Sequence, residues 1–173
     1  MDTLRFPIGH FEVVLEPDLE MRREWIRKIA EMPAQLRHIV QSLTSEQLLT
    51  PYRPGGWTIQ QVVHHLADND MNAYIRFKKA LTEDNPIAST YREDVWAELN
   101  DYKAPIETSL VLIESLRSRF AVLLHAMQPS DFQRTFTSPA HGVMTLDMAL
   151  QRFDWHGRHH LAQITSLKER MGW

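Results

Sequence analysis

Four long stretches of the sequence place apolar residues at spacings of three and four, and this periodicity constrains the fold more than any other feature. Residues that recur in this way lie on one face of an α-helix, because the helix completes a turn about every 3.6 residues. A helix with one apolar face buries that face against other helices, so the pattern predicts an all-α four-helix bundle. The stretches run from about Asp18 to Leu43, from Thr58 to about Leu81, from Pro105 to Met127 and from Leu146 to about Arg170.

Local signals mark some of the helix boundaries. Thr58, followed three residues later by Gln61, predicts a capping box at the start of the second helix, and Thr90 with Glu93 predicts another at a short helix in the next connection. Pro33 is expected to kink the first helix or to start a second segment, because proline removes a backbone donor. These signals sharpen the helix assignments.

Two connections are long for a small bundle. Residues 82–104 exceed the few residues that an antiparallel turn needs, so the second and third helices are expected to run parallel through a long crossover. Residues 129–145 form the second connection, before the last helix. Since the chain shows no internal repeat or flexible linker, we expect residues 1–173 to form a single domain.

Composition narrows the classes of function. With 19 Lys and Arg, 22 Asp and Glu and a net charge of −3, the chain lacks the basic excess of proteins that bind phosphate backbones, so no nucleic-acid partner is expected. The absence of cysteine excludes disulfides, thiol nucleophiles and thiolate zinc sites, so any metal must be held by His, Asp or Glu. The sequence shows neither a secretion signal nor the roughly 18 apolar residues of a membrane span. We therefore expect a cytoplasmic protein without a membrane partner that acts on a small molecule.

The placement of the nine histidines predicts a metal site. On the fourth helix, His156 and His160 are one turn apart on the apolar side, whereas His159 points away. Two histidines are too few for a stable site, and His65 on the second helix lies nearer to the apolar face than His64 does. Buried, hydrogen-bonded structural histidines show the same spacing, so that interpretation stays open.

Three histidine ligands would leave a coordination position open for water or substrate, as in catalytic metal sites. The metal could then lower the pKa of a bound water to about 7, polarise a carbonyl group or bind a thiolate. Gly157 stands where metalloproteases with a His-Glu-x-x-His motif carry their general base, which argues against that class. No other residue is identified from the sequence as a base.

Other polar residues are candidates for structural or binding roles. Asp70 and Arg117 lie among apolar positions of the second and third helices, and burial of an unpaired charge costs on the order of several kcal/mol. The sequence therefore predicts an ion pair between them, with substrate binding as the alternative. Four further residues are expected to contact substrate or to surround the metal: Asn69, Asn72, Arg76 and His141. The alternative is that they are solvent-exposed surface residues without such a role.

Three motifs carry a resemblance to a known family. Residues 51–58 read Pro-Tyr-Arg-Pro-Gly-Gly-Trp-Thr, residues 61–68 read Gln-Val-Val-His-His-Leu-Ala-Asp, and residues 155–160 read Trp-His-Gly-Arg-His-His. Together they resemble the DinB-like superfamily, and most closely its YfiT-type metal-dependent hydrolases, over nearly the whole chain. The resemblance implies a four-helix bundle with a long crossover after the second helix, usually as a homodimer. It also implies one nickel or zinc ion per chain, held by three histidines that match His65, His156 and His160.

The same resemblance leaves three functions open. The first is a hydrolase in which the metal activates water. The second is an S-transferase that uses a low-molecular-weight thiol such as bacillithiol, and the third is a non-catalytic bundle that binds a metal or a small ligand. Turnover of esters or amides without thiol favours the hydrolase, and loss of an electrophile only with thiol favours the transferase. No activity in either assay favours the binding role.

Overall fold

The computed structural model describes residues 3–173, and four long helices make up most of it. They are α1 (Leu19–Val40), α3 (Ile59–Thr82), α5 (Glu107–Ala126) and α6 (Leu146–Met171). Shorter elements occupy the connections: α2 (Ser45–Leu48), α4 (Glu93–Trp96) and the strands β1 (Thr135–Ser138) and β2 (Gly142–Thr145). Within residues 3–173, no helix combines the length and apolarity needed to cross a bilayer.

The four long helices form a bundle in which consecutive helices are not always neighbours. Both α1 and α3 pack against α5 and α6, which places α1 diagonally opposite α3. His64 contacts Ser109 near the start of α3 and α5, and Phe77 contacts Phe120 farther along both helices. The helices α3 and α5 are therefore parallel, and the predicted all-α bundle with a long crossover is confirmed.

The apolar interior consists of two clusters, and each contains residues from all four long helices. On α5, Ile113 belongs to one cluster and Phe120 to the other. Arg117 lies between these two positions and is paired with Asp70 of α3. A charged layer thus crosses the middle of an otherwise apolar core.

The start of α3 follows the sequence signal, whereas the start of α4 does not. Thr58 Oγ1 accepts a hydrogen bond from the Gln61 amide at 3.1 Å, and Gln61 Oε1 accepts one from the Thr58 amide at 3.0 Å. The predicted box at Thr90 is wrong, because α4 begins at Glu93 after Arg92, which makes no side-chain capping bond.

Pro33 neither ends α1 nor divides it. The helix continues from Leu19 to Val40, with Pro33 buried in its interior. A proline removes one hydrogen bond from a helix. The neighbouring backbone hydrogen bonds remain, and α1 packs against α5 and α6, so the helix continues across that position.

The second connection contains a β-hairpin that the periodicity did not predict. Strands β1 and β2 pair antiparallel, and the backbone of Thr137 also bonds to residues 86–88 of the crossover. Arg134 donates from Nε to the carbonyl of Ala80 at 2.6 Å and from Nη2 to the carbonyl of Glu83 at 3.0 Å. These bonds satisfy carbonyls at the C-terminal end of α3 and fix the hairpin there.

Candidate metal centre

Three histidine side chains converge between α3 and α6. His156 Nε2 lies 3.2 Å from His65 Nε2 and 3.2 Å from His160 Nε2. One ligand atom from each residue lies within 4.8 Å of the other two. Nitrogen ligands about 2.0–2.1 Å from a tetrahedral zinc ion are about 3.3 Å apart, so the spacing fits an ion of that size.

The surroundings of the three imidazoles favour their neutral form, which is the form that binds metals. Burial, reinforced by the nearby His159, lowers the pKa of His65 to about 4. Burial and the neighbouring imidazoles hold the pKa values of His156 and His160 well below the usual value. A neutral imidazole keeps a lone pair on one nitrogen, so the set can donate three lone pairs to one ion.

Gln163 determines which nitrogen of His160 carries the proton. Its Nε2 donates to the carbonyl oxygen of Arg5 at 2.9 Å, which orients the amide so that Oε1 faces His160 Nδ1 at 2.9 Å. Because Oε1 can only accept, His160 Nδ1 carries the hydrogen and Nε2 presents its lone pair to the centre. No sequence motif marks Gln163, although it follows His160 by three residues and so shares its helix face.

His159 does not face solvent, contrary to the sequence-based expectation that it points away from the core. Its ring stacks on Trp155 with centroids 4.7 Å apart, and its Nε2 accepts a hydrogen bond from Gln163 at 2.9 Å. Phe6 packs on the same ring at 5.6 Å. The N-terminal segment that precedes α1 covers this face of α6, and this cover could not be read from helix periodicity.

A tight turn before α3 places an aromatic ring beside the histidines. Gly55 has a φ of +66°, and a Cβ on Gly56 would lie 2.7 Å from Arg53 Cγ, so both positions favour glycine. The turn brings the Trp57 ring to within 4.7 Å of the His65 ring, centroid to centroid. The Pro-Gly-Gly-Trp motif therefore builds one wall of the site.

The three histidines line an open space that we call the histidine cleft. Its empty volume is about 840 Å³, and its walls include Trp57, Trp155, Arg152 and Glu93. Of the described residues that line it, Glu93 is the only carboxylic acid, and partial desolvation raises the pKa of that group. From the sequence, Glu93 is expected only as a capping residue, because no helix period relates the crossover to the histidines.

A second space, which we call the arginine recess, adjoins the cleft. It has an empty volume of about 550 Å³ and lies between α3, α6 and the hairpin. Three of the four residues proposed to contact substrate line it, together with His156: Asn69, Arg76 and His141. The fourth, Asn72, does not line it, and its Nδ2 donates to the carbonyl of Asp68 one turn earlier in α3.

The structure pairs Asp70 with Arg117. Arg117 Nε lies 2.6 Å from Asp70 Oδ2 and Nη2 lies 2.9 Å from Oδ1, with side-chain exposures of only 1% and 0%. Arg117 Nη1 also donates to the carbonyl of Ile29 at 3.2 Å. A Cβ on Gly157 would lie 3.4 Å from both terminal nitrogens of Arg117, so this glycine leaves room for the guanidinium beside His156.

Comparison with known proteins places these features in a family context. The sequence profile of the DinB superfamily matches residues 28–164. Proteins named "Putative metal-dependent hydrolase" from Bacillus mycoides and Bacillus cereus are each 47% identical to the chain over 173 residues, with 100% of both chains covered. The solved structure of YfiT from Bacillus subtilis, described as a probable metal-dependent hydrolase with an unusual four-helix bundle topology, superposes with a TM-score of 0.96. Its sequence is 44% identical, and the superposition covers 99% of each chain.

Proposed function

The chain belongs to the DinB superfamily, as its motifs indicated, and we propose that it is a metal-dependent hydrolase whose ion is held by His65, His156 and His160. The convergence of the three Nε2 atoms beside an open cleft carries this proposal. The names of its relatives support the reaction class. Zinc and nickel are the proposed metals, because both bind imidazole nitrogen well.

The residues of the cleft fit this chemistry. A divalent ion at this position supplies a Lewis acid that lowers the pKa of water to about 7 and polarises a carbonyl oxygen. The three neutral imidazoles leave the charge of that ion uncompensated, and Gln163 holds one of them in orientation. Glu93 is the carboxylate among the described residues of the cleft, burial raises its pKa, and we assign it the role of general base.

Metal content per chain tests the ligand assignment. We expect about one nickel or zinc ion in the wild type and none in His65→Ala, His156→Ala or His160→Ala variants that keep their circular dichroism spectrum. His125→Ala is the matched control, because His125 is exposed on α5. A wild type that binds no metal after reconstitution, or triad variants that retain it, would reject the assignment.

A thiol S-transferase is the second candidate. The histidine cleft is open enough to admit a thiol cosubstrate, and the chain has no cysteine to supply one itself. Parallel assays separate the two reactions: a hydrolase consumes esters or amides without thiol, whereas a transferase consumes an electrophile only when thiol and metal are both present. If neither reaction occurs in metal-loaded protein, a binding role replaces both.

We further propose that residues 1–173 act as one domain in a cytoplasmic homodimer. The single domain is supported by the two apolar clusters, each of which includes all four long helices. The dimer is what the family resemblance implies, and we assign its interface to the outward face of α5, where Val111 and Val122 are 50% and 71% exposed and three turns apart. Sedimentation velocity tests the dimer, and Val122→Asp should shift it towards monomer.

A further inference from the structure

Two arginine side chains meet in the arginine recess beside the histidine cleft. Arg152 belongs to α6 and precedes His156 by one helical turn, and Arg76 reaches the recess from α3. Arg152 also lines the histidine cleft, so its side chain stands at the junction of the two spaces. The recess therefore leads directly to one of the proposed metal ligands.

Neither arginine has a carboxylate partner among the described residues. Arg76 donates from Nη2 to the carbonyl of Ser89 at 3.0 Å, and its buried Nε has no partner. Arg152 makes no hydrogen bond with residues 3–173, and its Cζ lies 5.6 Å from the centroid of the Phe11 ring. Glu93 attracts Arg152 only at longer range, because the two form no ion pair.

This situation differs from that of the arginines that tie helices together. Arg117 pairs with Asp70, and Arg22 pairs with Asp147 at 2.7 Å. Arg37 likewise pairs with two glutamates of α5. The chain thus supplies carboxylates to arginines that tie helices together and leaves the pair in the recess without them.

The two guanidinium groups also repel each other. Burial lowers the pKa of Arg76, and the charge of Arg152 lowers it further. Burial together with Arg152 and Arg76 lowers the pKa of His141, so its imidazole is favoured in the neutral form beside the two guanidinium groups. Because a guanidinium remains protonated at any physiological pH, an anion bound between the two groups would relieve this repulsion.

We propose that Arg76 and Arg152 bind an oxyanion, a carboxylate or a phosphate group, carried by the substrate. Both groups match the planar fork of a guanidinium, and unpaired donors that are already desolvated bind them strongly. The inference rests on the proposed hydrolase function in one respect: an anion bound at Arg152 places the neighbouring part of the substrate at His156. The preferred substrate is therefore an ester or amide with an anionic group near the bond that is cleaved.

Calorimetric titration of the full chain tests the site without any turnover. Inorganic phosphate and succinate are titrated into metal-loaded and chelator-treated wild type, and the better binder identifies the type of oxyanion. We expect binding in both states, weakened about tenfold or more in Arg76→Gln and Arg152→Gln, because each glutamine lacks the charged donors of the arginine. Arg119→Gln, which removes the same charge from an exposed position of α5, should bind as the wild type does.

The lysine variants Arg76→Lys and Arg152→Lys keep the positive charge and replace the glutamine variants if those fail to fold. If a lysine variant binds the anion more weakly than the wild type does, the planar guanidinium contributes to binding beyond its charge. The proposal is overturned if wild type binds neither anion. It is also overturned if binding requires the metal and is unchanged in all arginine variants, because the anion would then be a metal ligand only.

A matched pair of esters, one neutral and one carrying a carboxylate, separates this inference from the proposed function. Preferential hydrolysis of the anionic ester by wild type and by Arg119→Gln, with that preference reduced in Arg152→Gln, supports both. Equal hydrolysis of the two esters by wild type overturns the anion site and leaves the hydrolase intact. If the protein binds the anion but hydrolyses neither ester, the proposed anion site is retained and the proposed hydrolase function is overturned.

Discussion

Gln163 is the residue that connects the proposed metal centre to its surroundings, since its amide bonds to His160, to His159 and to the backbone of Arg5. We expect Gln163→Leu to weaken metal binding about 10- to 100-fold, as is typical when the partner of a ligating histidine is lost. Competition with a chromophoric chelator measures this affinity. Gln163→Glu keeps an acceptor for His160 Nδ1 and should bind metal more tightly than Gln163→Leu; equal affinities would show that the hydrogen bond has no such role.

The pair Asp70–Arg117 makes a second prediction at the level of single residues. Replacing either partner leaves the other charge buried, so Asp70→Ala and Arg117→Met should each lower the free energy of unfolding by about 3–5 kcal/mol. The double variant should lose less than the sum of the two, because it leaves no unpaired charge. Urea unfolding of all four proteins measures the coupling, and strict additivity would exclude a stabilising pair.

Glu93 makes a third prediction at this scale. Glu93→Gln removes the proposed base and should lower kcat by about 100-fold or more, with metal content unchanged. The acidic limb of the pH profile of kcat/KM should be lost as well, because that limb reports protonation of the base. Glu98→Gln, an exposed neighbour in the crossover, is the control. An unchanged acidic limb in Glu93→Gln assigns the base to another group.

At the scale of elements, α6 carries most of the site. It supplies two of the three histidines, Gln163 and Arg152, while α3 supplies His65 and Arg76. The N-terminal segment lies across α6, and Gln151 makes two of the bonds between them: it accepts from the Val14 amide at 2.8 Å and donates to the Val14 carbonyl at 3.1 Å. A single side chain thus satisfies both backbone groups of one residue.

We expect Gln151→Ala to loosen this segment. Loss of two hydrogen bonds of about 1 kcal/mol each should speed amide exchange at Val14 by roughly 10-fold or more, while exchange in the middle of α3 stays unchanged. Hydrogen exchange resolved by residue measures both, with Gln35→Ala, an exposed glutamine of α1, as the control. Equal protection of Val14 in wild type and variant would show that other contacts hold the segment.

Prediction of the elements succeeded where the signal was local and repeated. The four long helices each have an apolar face that extends over several turns, and Thr58 with Gln61 marks the start of α3 within two turns of His65. The hairpin has only four residues in each strand, and its position depends on Arg134 and on residues 86–88, which are distant in sequence. So short an element carries too few residues to show a period.

At the scale of the whole molecule, the metal-free fold should lose stability in acid. Burial lowers the pKa of His65 from 6.5 to about 4, so between these values the unfolded chain binds protons that the folded chain excludes. This contribution is fully present above pH 6.5 and is lost as the pH falls towards 4. It amounts to about 3 kcal/mol for His65, and His156 and His160 act in the same direction.

Urea unfolding of chelator-treated protein between pH 4 and 7.5 checks this dependence. His65→Asn should flatten the slope, because the group that gains a proton on unfolding is absent. His125→Asn, which alters an exposed histidine, should leave the slope unchanged. A slope equal to that of wild type in His65→Asn would mean that His65 is not buried in its neutral form.

The sequence by itself determined the helices, their inward faces and the residues that face the core, because these depend on a period that repeats within each segment. It was enough to propose His65, His156 and His160 as ligands and Asp70 with Arg117 as an ion pair. Only the tertiary structure brings His65 to His156, 91 positions later in the chain, and covers His159 with the N-terminal segment. The bond from Gln163 to His160 and the meeting of Arg76 with Arg152 likewise emerged only there, because such contacts depend on side-chain orientation and on how separate helices pack.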